Sequence, residues 1–407
     1  MIQNLVLYRQ LMEDPVIHEY NQLVQWAESN QYNRITFKSI YYSLCSRLLD
    51  SSKTALLSIT DYIAIEIIKS DNRFSLSVQI KEPLSDSLSK IAMNDLKVLR
   101  KLMSFDLNRL SELAEDPNCI ISCSELENPI IDSVHSAFIS ENPSFLLDEL
   151  CLIYANYGSG IFAFNNAFRV GSNGDVEGIS RFDPQTFETL SGYEDEHKRL
   201  INNAQAFVDD LPYHHALLVG SSGTGKSTSI RALIPMFEKY HLKLIEIKKH
   251  HIKSIPVLFE KVYNRRGKFI FFLDDLTFEE EESDYKLLKS IIEGSAESIP
   301  PNVCFCVTSN RRHVIKESIH EREDQIHLSD VINENTSLSD RFGLYLHYYE
   351  PKQKEYLEIV QNYAKRNSID ISEEELYANA LQFSRNSGDR SGRTAKQFIT
   401  NLLAGLF

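Results

Sequence analysis

The chain has 407 residues, 43% of them hydrophobic and 25% charged, with a formal net charge of −14. That balance is ordinary for a globular protein of two or three domains. It argues against broad, non-specific nucleic-acid binding, which needs a basic surface, but not against a local basic patch.

Six cysteines (Cys45, Cys119, Cys123, Cys151, Cys304 and Cys306) are too sparse for a disulfide framework. The pair in "CIISC" has no second Cys or His cluster at matching spacing, so core or surface thiols are expected there. The opening residues carry acids early and no uninterrupted apolar core, so no signal peptide is expected. No apolar run reaches about 18 residues, so no membrane span is expected either, and the location should be cytoplasmic.

The first glycine is Gly158, and all 15 glycines lie from there onward. Glycine serves turns and special backbone angles, so its absence reads as helix. Runs such as "NLVLYRQLMEDPVIHEYNQLVQWA", "SDSLSKIAMNDLKVLRKLMSF" and "DSVHSAFI" place apolar residues three and four apart. An all-helical N-terminal domain is therefore expected over residues 1–150. It holds 13 Lys and Arg against 21 Asp and Glu, so it has no overall electrostatic reason to hold DNA or RNA. Contact with an unidentified protein partner, or assembly, is the better expectation.

Residues 151–186 change character, with alternating aromatics followed by glycines and polar turns, and read as a β-hairpin or extended linker. Over 187–350, strand-like runs ("ALLVG", "KLIEIKK", "KFIFFLDD", "VCFCVTSN", "LYLHYYE") alternate with helical or acidic polar segments. Apolar strands separated by helices imply an α/β unit with a parallel sheet covered on both faces. Residues 351–407 read as a small C-terminal helical domain.

"GSSGTGKST" (Gly220, Ser221, Ser222, Gly223, Thr224, Gly225, Lys226, Ser227, Thr228) fits G-x-x-x-x-G-K-[ST] between the strand "ALLV" and a helical run. This is the phosphate-loop pattern in its proper context. The glycines permit the tight loop, whose backbone N–H groups and helix N-terminus surround the phosphates. Lys226 places a point charge on them, and Ser227 offers a hydroxyl to Mg²⁺.

"FLDDLTFEEEES" supplies six carboxylates. Asp274, at the C-terminal edge of a buried strand, sits where ligands bind in open α/β sheets and is expected to hold Mg²⁺ through a water. Neighbouring strand residues point to opposite faces. Asp275 therefore reaches the same site only if the strand ends and the chain turns, and it would then act as general base on the attacking water. Glu279, Glu280, Glu281 and Glu282 read as a solvated face or helix start. At the next strand end Asn310 is placed to bond the γ-phosphate or that water. Arg341 precedes the last strand, and Arg390 and Arg393 open the final helix.

Phosphate loop, acidic strand, polar strand end, arginine before the last strand and arginine in a helical lid together resemble the AAA+ ATPases. The resemblance implies a P-loop fold with strand order 5-1-4-3-2 and a C-terminal helical lid. It implies ATP and Mg²⁺ as ligands, Asn310 as sensor 1, Arg341 as an arginine finger acting on a neighbouring subunit, and Arg393 as sensor 2. The segment "LSGYEDEHKRLINNAQAF", including Gly192 and Tyr193, matches the one that cups adenine. "LSGYE", "LLVGSSGTGKST", "FLDDLTFEE", "TSNRRH", "LSDRFGL" and "SGRTAKQF" resemble more closely a bacterial family of predicted AAA+ ATP-binding proteins with a domain of unknown function, over about residues 155–407. The implied activity is ATP hydrolysis between subunits of a homo-oligomer that remodels or loads a macromolecule. The alternatives are a slow nucleotide-dependent switch or adaptor, and a DNA-associated loader or initiator using the small basic patches "KKHHIK" and "RRH".

Overall fold

The computed structural model describes residues 2–53, 55–139, 142–182, 185–277, 283–293, 298–310 and 341–406. Contacts divide the chain into two units: Met1–Phe164 with Asn264–Arg266, and Asn165–Tyr263 with Gly267–Phe407.

The first unit is helical. Its helices are α1 (Pro15–Ser29), α2 (Arg34–Ser51), α3 (Ile59–Lys69), α4 (Arg73–Gln79), α5 (Asp86–Met103), α6 (Leu107–Ala114), α7 (Pro129–Ile139) and α8 (Pro143–Tyr157). Short polar caps start most of them. Asp14, Asn33, Ser58, Asn72, Ser85, Asp106 and Asn142 each accept a backbone N–H of the first turn, satisfying donors that have no partner within the helix. With no glycine available, Asn30 and Glu115 take the left-handed conformation that closes α1 and α6 (φ 53° and 58°).

The core of this unit buries Tyr8, Tyr20, Tyr41 and Tyr154 completely. Their hydroxyls are satisfied: those of Tyr8 and Tyr154 pair at 3.0 Å, and Tyr20 donates to the Leu102 carbonyl at 2.8 Å. Asp95, also fully buried, accepts the backbone N–H groups of Val6, Leu7 and Tyr8. The unit runs beyond the expected boundary at residue 150, because α8 continues to Tyr157. Arg265 belongs to it too, meeting Asp71 through two hydrogen bonds of 2.6 and 2.5 Å.

The second unit is α/β. Its strands are β1 (Ala167–Val170), β2 (Val176–Gly178), β3 (Ala216–Gly220), β4 (Leu242–Glu246), β5 (Lys268–Leu273), β6 (Val303–Ser309) and β7 (Leu344–Tyr348). They form one sheet in the order β2-β1-β4-β5-β6-β3-β7. All pairs are parallel except the β1–β2 hairpin. The expected order 5-1-4-3-2 therefore does not describe the whole sheet. From β3 onward the strands run β7-β3-β6-β5-β4, and β1 and β2 extend the β4 edge. Residues 151–186 are thus more than a linker, since Phe168 of β1 pairs in register with Ile245 of β4.

The central strands are buried on both faces; every residue of β6 and all but the first of β5 are buried. This is why they read as continuous apolar runs rather than alternating ones. Helices α9 (Glu194–Val208), α10 (Lys226–Met236), α11 (Ile255–Tyr263) and α12 (Ser283–Glu293) accompany the sheet. The last three, α13 (Gln353–Arg366), α14 (Glu373–Ser387) and α15 (Gly392–Leu403), share a core of their own around Tyr356, Val360, Ala380 and Phe398. No helix among the described residues is long and apolar enough to cross a membrane.

Candidate nucleotide site

The glycines of the phosphate loop answer close approaches. A Cβ on Gly220 (φ 146°) would stand 1.9 Å from the Tyr348 carbonyl oxygen, and one on Gly223 (φ 79°) would stand 2.7 Å from Ser391 Oγ. Gly225, left-handed at φ 95°, caps α10, so Lys226 and Ser227 open that helix. The loop borders a cavity of about 600 Å³.

Lys226 is 5% exposed. Its Nζ donates to the carbonyls of Gly220 and Ser221 at 2.9 and 2.8 Å and to Asn310 Oδ1 at 2.9 Å. Burial pulls its pKa down to about 8, and Arg393 adds to the fall; the carboxylates of Asp275 and Asp274 oppose it. The ammonium is thus held by neutral acceptors and lies beside two carboxylates, whose charge opposes an incoming anion until a cation is bound with it.

Strand β5 ends at Leu273 and Asp275 turns at φ 51°. The side-chain alternation of the strand is broken there, and both aspartates line the cavity. Ser227 Oγ donates to Asp274 Oδ1 at 2.5 Å, and Asn310 Nδ2 donates to Asp275 Oδ1 at 2.5 Å. Thr308 on β6 touches both acids: its Oγ1 donates to Asp274 Oδ1 at 2.7 Å and accepts the Asp275 N–H at 2.8 Å. Ser227 and Asp274 supply one hydroxyl and one carboxylate, a donor set that fits Mg²⁺, which takes oxygen ligands and keeps several waters.

Arg393 reaches the loop from the other side. Its N–H bonds the Gly223 carbonyl at 3.2 Å, and its Nη1 donates to Ser222 Oγ at 3.3 Å. It is the second residue of α15, and it lines the cavity. Arg390 lies before that helix. Thr224 and Thr228 line the cavity as well. Tyr193, left-handed at φ 64°, borders it and donates from Oη to the Tyr349 carbonyl at 2.5 Å. Gly192 borders a neighbouring hollow instead. Arg341 does not line the cavity; it pairs with Glu293 at 3.2 Å. Glu279 to Glu282, and Arg311 to His313 of the "RRH" patch, lie outside the described residues.

Thr308, Arg231, Lys396, Tyr363 and Gln185, which no sequence motif marks as site residues, also line the cavity. The first three carried a signal. Thr308 is two residues from Asn310 on one strand face, Arg231 is four from Ser227, and Lys396 is three from Arg393 on a helix face. Arg231 approaches Asp274 at 3.6 Å and Glu246 at 3.3 Å. Tyr363 and Gln185 carried none, since only the tertiary fold brings them here.

Residues 162–406 match the family described as "Protein of unknown function (DUF815)". The chain belongs to this family. The DUF815 match takes in the phosphate loop, both aspartates, Asn310, Arg341 and Arg393. A comparison with curated proteins found no match. Among solved structures, the RuvB Holliday junction branch migration motor of Thermotoga maritima is 19% identical, over 54% of this chain and 65% of that chain, with a TM-score of 0.38. A proline-to-glycine mutant of the same protein gives 17% identity, 54% and 66% coverage and a TM-score of 0.40. The DUF815 chain thus spans just under two thirds of the RuvB chains it matches.

Proposed function

We propose that this chain is an AAA+ ATPase that binds ATP with Mg²⁺ in the cleft between phosphate loop and α15. In this reading it hydrolyses ATP at a subunit interface to remodel or load a macromolecular partner. The observation that carries the reading is the convergence of Lys226, Ser227, Asp274, Asp275, Asn310 and Arg393 on one cavity of about 600 Å³.

In this reading the loop N–H groups and Lys226 hold the β- and γ-phosphates, and Arg393 closes on them from the lid. Ser227 and Asp274 hold Mg²⁺, which when bound neutralises phosphate charge. Asp275 accepts a proton from the attacking water at its carboxylate. The water oxygen bonds the γ-phosphorus as the bond to the β-phosphate bridging oxygen breaks, and ADP leaves with that electron pair. Asn310 orients the water or the γ-phosphate. Aspartate is shorter than glutamate by one C–C bond, about 1.5 Å, so the water sits close to the strand. Arg341, which pairs with Glu293 and does not line its own cleft, serves the site of an adjacent copy. The helical unit takes the protein partner, and the location is cytoplasmic.

One observation favours a second reading, a slow switch or adaptor: Asn310 already donates to Asp275 Oδ1 at 2.5 Å, so one of the two oxygens of the candidate base is engaged. Both readings require ATP binding. Calorimetric titration of ATP with Mg²⁺ into the wild type and Lys226→Ala tests this. Binding by the wild type that weakens at least tenfold in the variant is expected. Equal binding by both, or none by the wild type, would overturn the assignment.

A further inference from the structure

The ladder between β5 and β6 runs in register to Leu273 opposite Val307. The next pair would be Asp274 opposite Thr308, and here a side chain takes over from the backbone. The Asp275 N–H bonds Thr308 Oγ1 at 2.8 Å, and the Leu276 N–H returns to the Thr308 carbonyl at 2.8 Å. A hydroxyl has one proton and two lone pairs. The proton of Thr308 goes to Asp274 Oδ1 at 2.7 Å and a lone pair goes to Asp275 N–H.

Thr308 is 1% exposed, so little water can replace it. Its β-branched side chain is stiff at χ1, which keeps the hydroxyl aimed. Asp275 stands at φ 51°, a conformation that non-glycine residues hold only when their surroundings fix it. The hydroxyl therefore acts on both acids at once. It orients the Asp274 carboxylate toward Ser227, and it stabilises the turn that brings Asp275 to Asn310.

We propose that Thr308 is a positioning residue that sets the Asp274 carboxylate for Mg²⁺ and the Asp275 carboxylate for water, a role that rests on the ATPase reading of the cleft. It acts through the two carboxylates that its hydroxyl and the Asp275 N–H connect. Partners of this kind, one step removed from a metal, change metal affinity by roughly 10–100-fold.

The test is a Mg²⁺ titration of binding by a fluorescent ATP analogue, with turnover measured alongside, for wild type, Thr308→Val and Thr308→Ser. Valine keeps the shape and removes the hydroxyl; serine keeps the hydroxyl. Thr308→Val is expected to need about tenfold more Mg²⁺ for half-saturation, with Mg²⁺-free binding within about twofold of wild type. Thr308→Ser is expected to restore most of the Mg²⁺ response and of the lost turnover. A Thr308→Val protein with wild-type Mg²⁺ midpoint and turnover would overturn the proposal, and so would a Thr308→Ser protein as impaired as the valine variant. If the valine variant does not fold, Thr308→Ala takes its place with the same expectations. A wild type without Mg²⁺-dependent ATP binding would overturn the ATPase reading and this proposal together, whereas normal wild-type binding with an unchanged valine variant would overturn the proposal alone.

Discussion

Asn310 bridges Lys226 and Asp275: its Oδ1 accepts from the lysine at 2.9 Å while its Nδ2 donates to the carboxylate at 2.5 Å. One amide thus links the phosphate-loop lysine to the candidate base. Asn310→Ala is expected to leave ATP affinity within a few-fold and to lower turnover on the order of 10²-fold, the scale for losing one preorganised donor. Steady-state kinetics beside equilibrium binding would show it. A proportionate fall in affinity would mean that Asn310 acts in binding, not in the chemical step.

Burial holds the Lys226 pKa at about 8, below its ordinary value. Bound phosphates favour the charged ammonium and raise the pKa again. In the free protein the ammonium is lost as pH rises through about 8, so ATP binding above that pH takes up a proton. Affinity should be flat in this group below pH 8 and weaken as pH rises above it. Calorimetry in two buffers of different ionisation enthalpy would report the proton uptake. Affinity that does not change between about pH 7.5 and 9.5 would remove this role from Lys226.

Arg341 pairs with Glu293 and does not line its own cleft. If it serves a neighbouring copy, Arg341→Ala keeps ATP binding and loses turnover by about 10³–10⁵, the usual worth of an arginine finger. Mixing it with Asp275→Asn protein should restore part of the activity, because a mixed interface pairs an intact Arg341 with an intact Asp275. Undiminished turnover by Arg341→Ala alone would refute the finger.

Much of this site was legible because it is coded locally. The phosphate loop fixes its own backbone through Gly220, Gly223 and Gly225, and the apolar runs of β5 and β6 announce buried parallel strands. The turn at Asp275 was legible only as a condition, since the hydroxyl that stabilises it comes from another strand. Strands β1 and β2, at the β4 end of the sheet, read as a hairpin without a destination, because three or four residues do not specify a partner. The helices of the first unit were legible from the absence of glycine before Gly158. Its Asp95 and tyrosine networks depend on packing between segments far apart in sequence and left no local trace.

Within the first unit, Asp71 receives Arg265 through two hydrogen bonds and Ser159 Oγ at 2.6 Å, and Gly160 is required because a Cβ there would stand 2.6 Å from Asp71 Oδ2. The Arg265 side chain is 10% exposed and lies 4.7 Å from the Phe162 ring centroid. Asp71→Ala is expected to cost about 2–3 kcal/mol of stability, the scale for hydrogen bonds to charged groups. Urea unfolding would measure it, and a cycle with Arg265→Ala should show coupling. A loss below about 0.5 kcal/mol would place the pair with ordinary surface contacts.

In the proposed reading Asp275 is the base of an ATPase whose phosphate site is intact without it. The most direct measurement is ATP turnover by wild type and Asp275→Asn at saturating Mg²⁺, with ATP affinity measured in the same samples. Turnover by the wild type, its loss in the variant and unchanged ATP binding in both are expected. Equal turnover by the two proteins, or loss of ATP binding together with turnover, would contradict that reading.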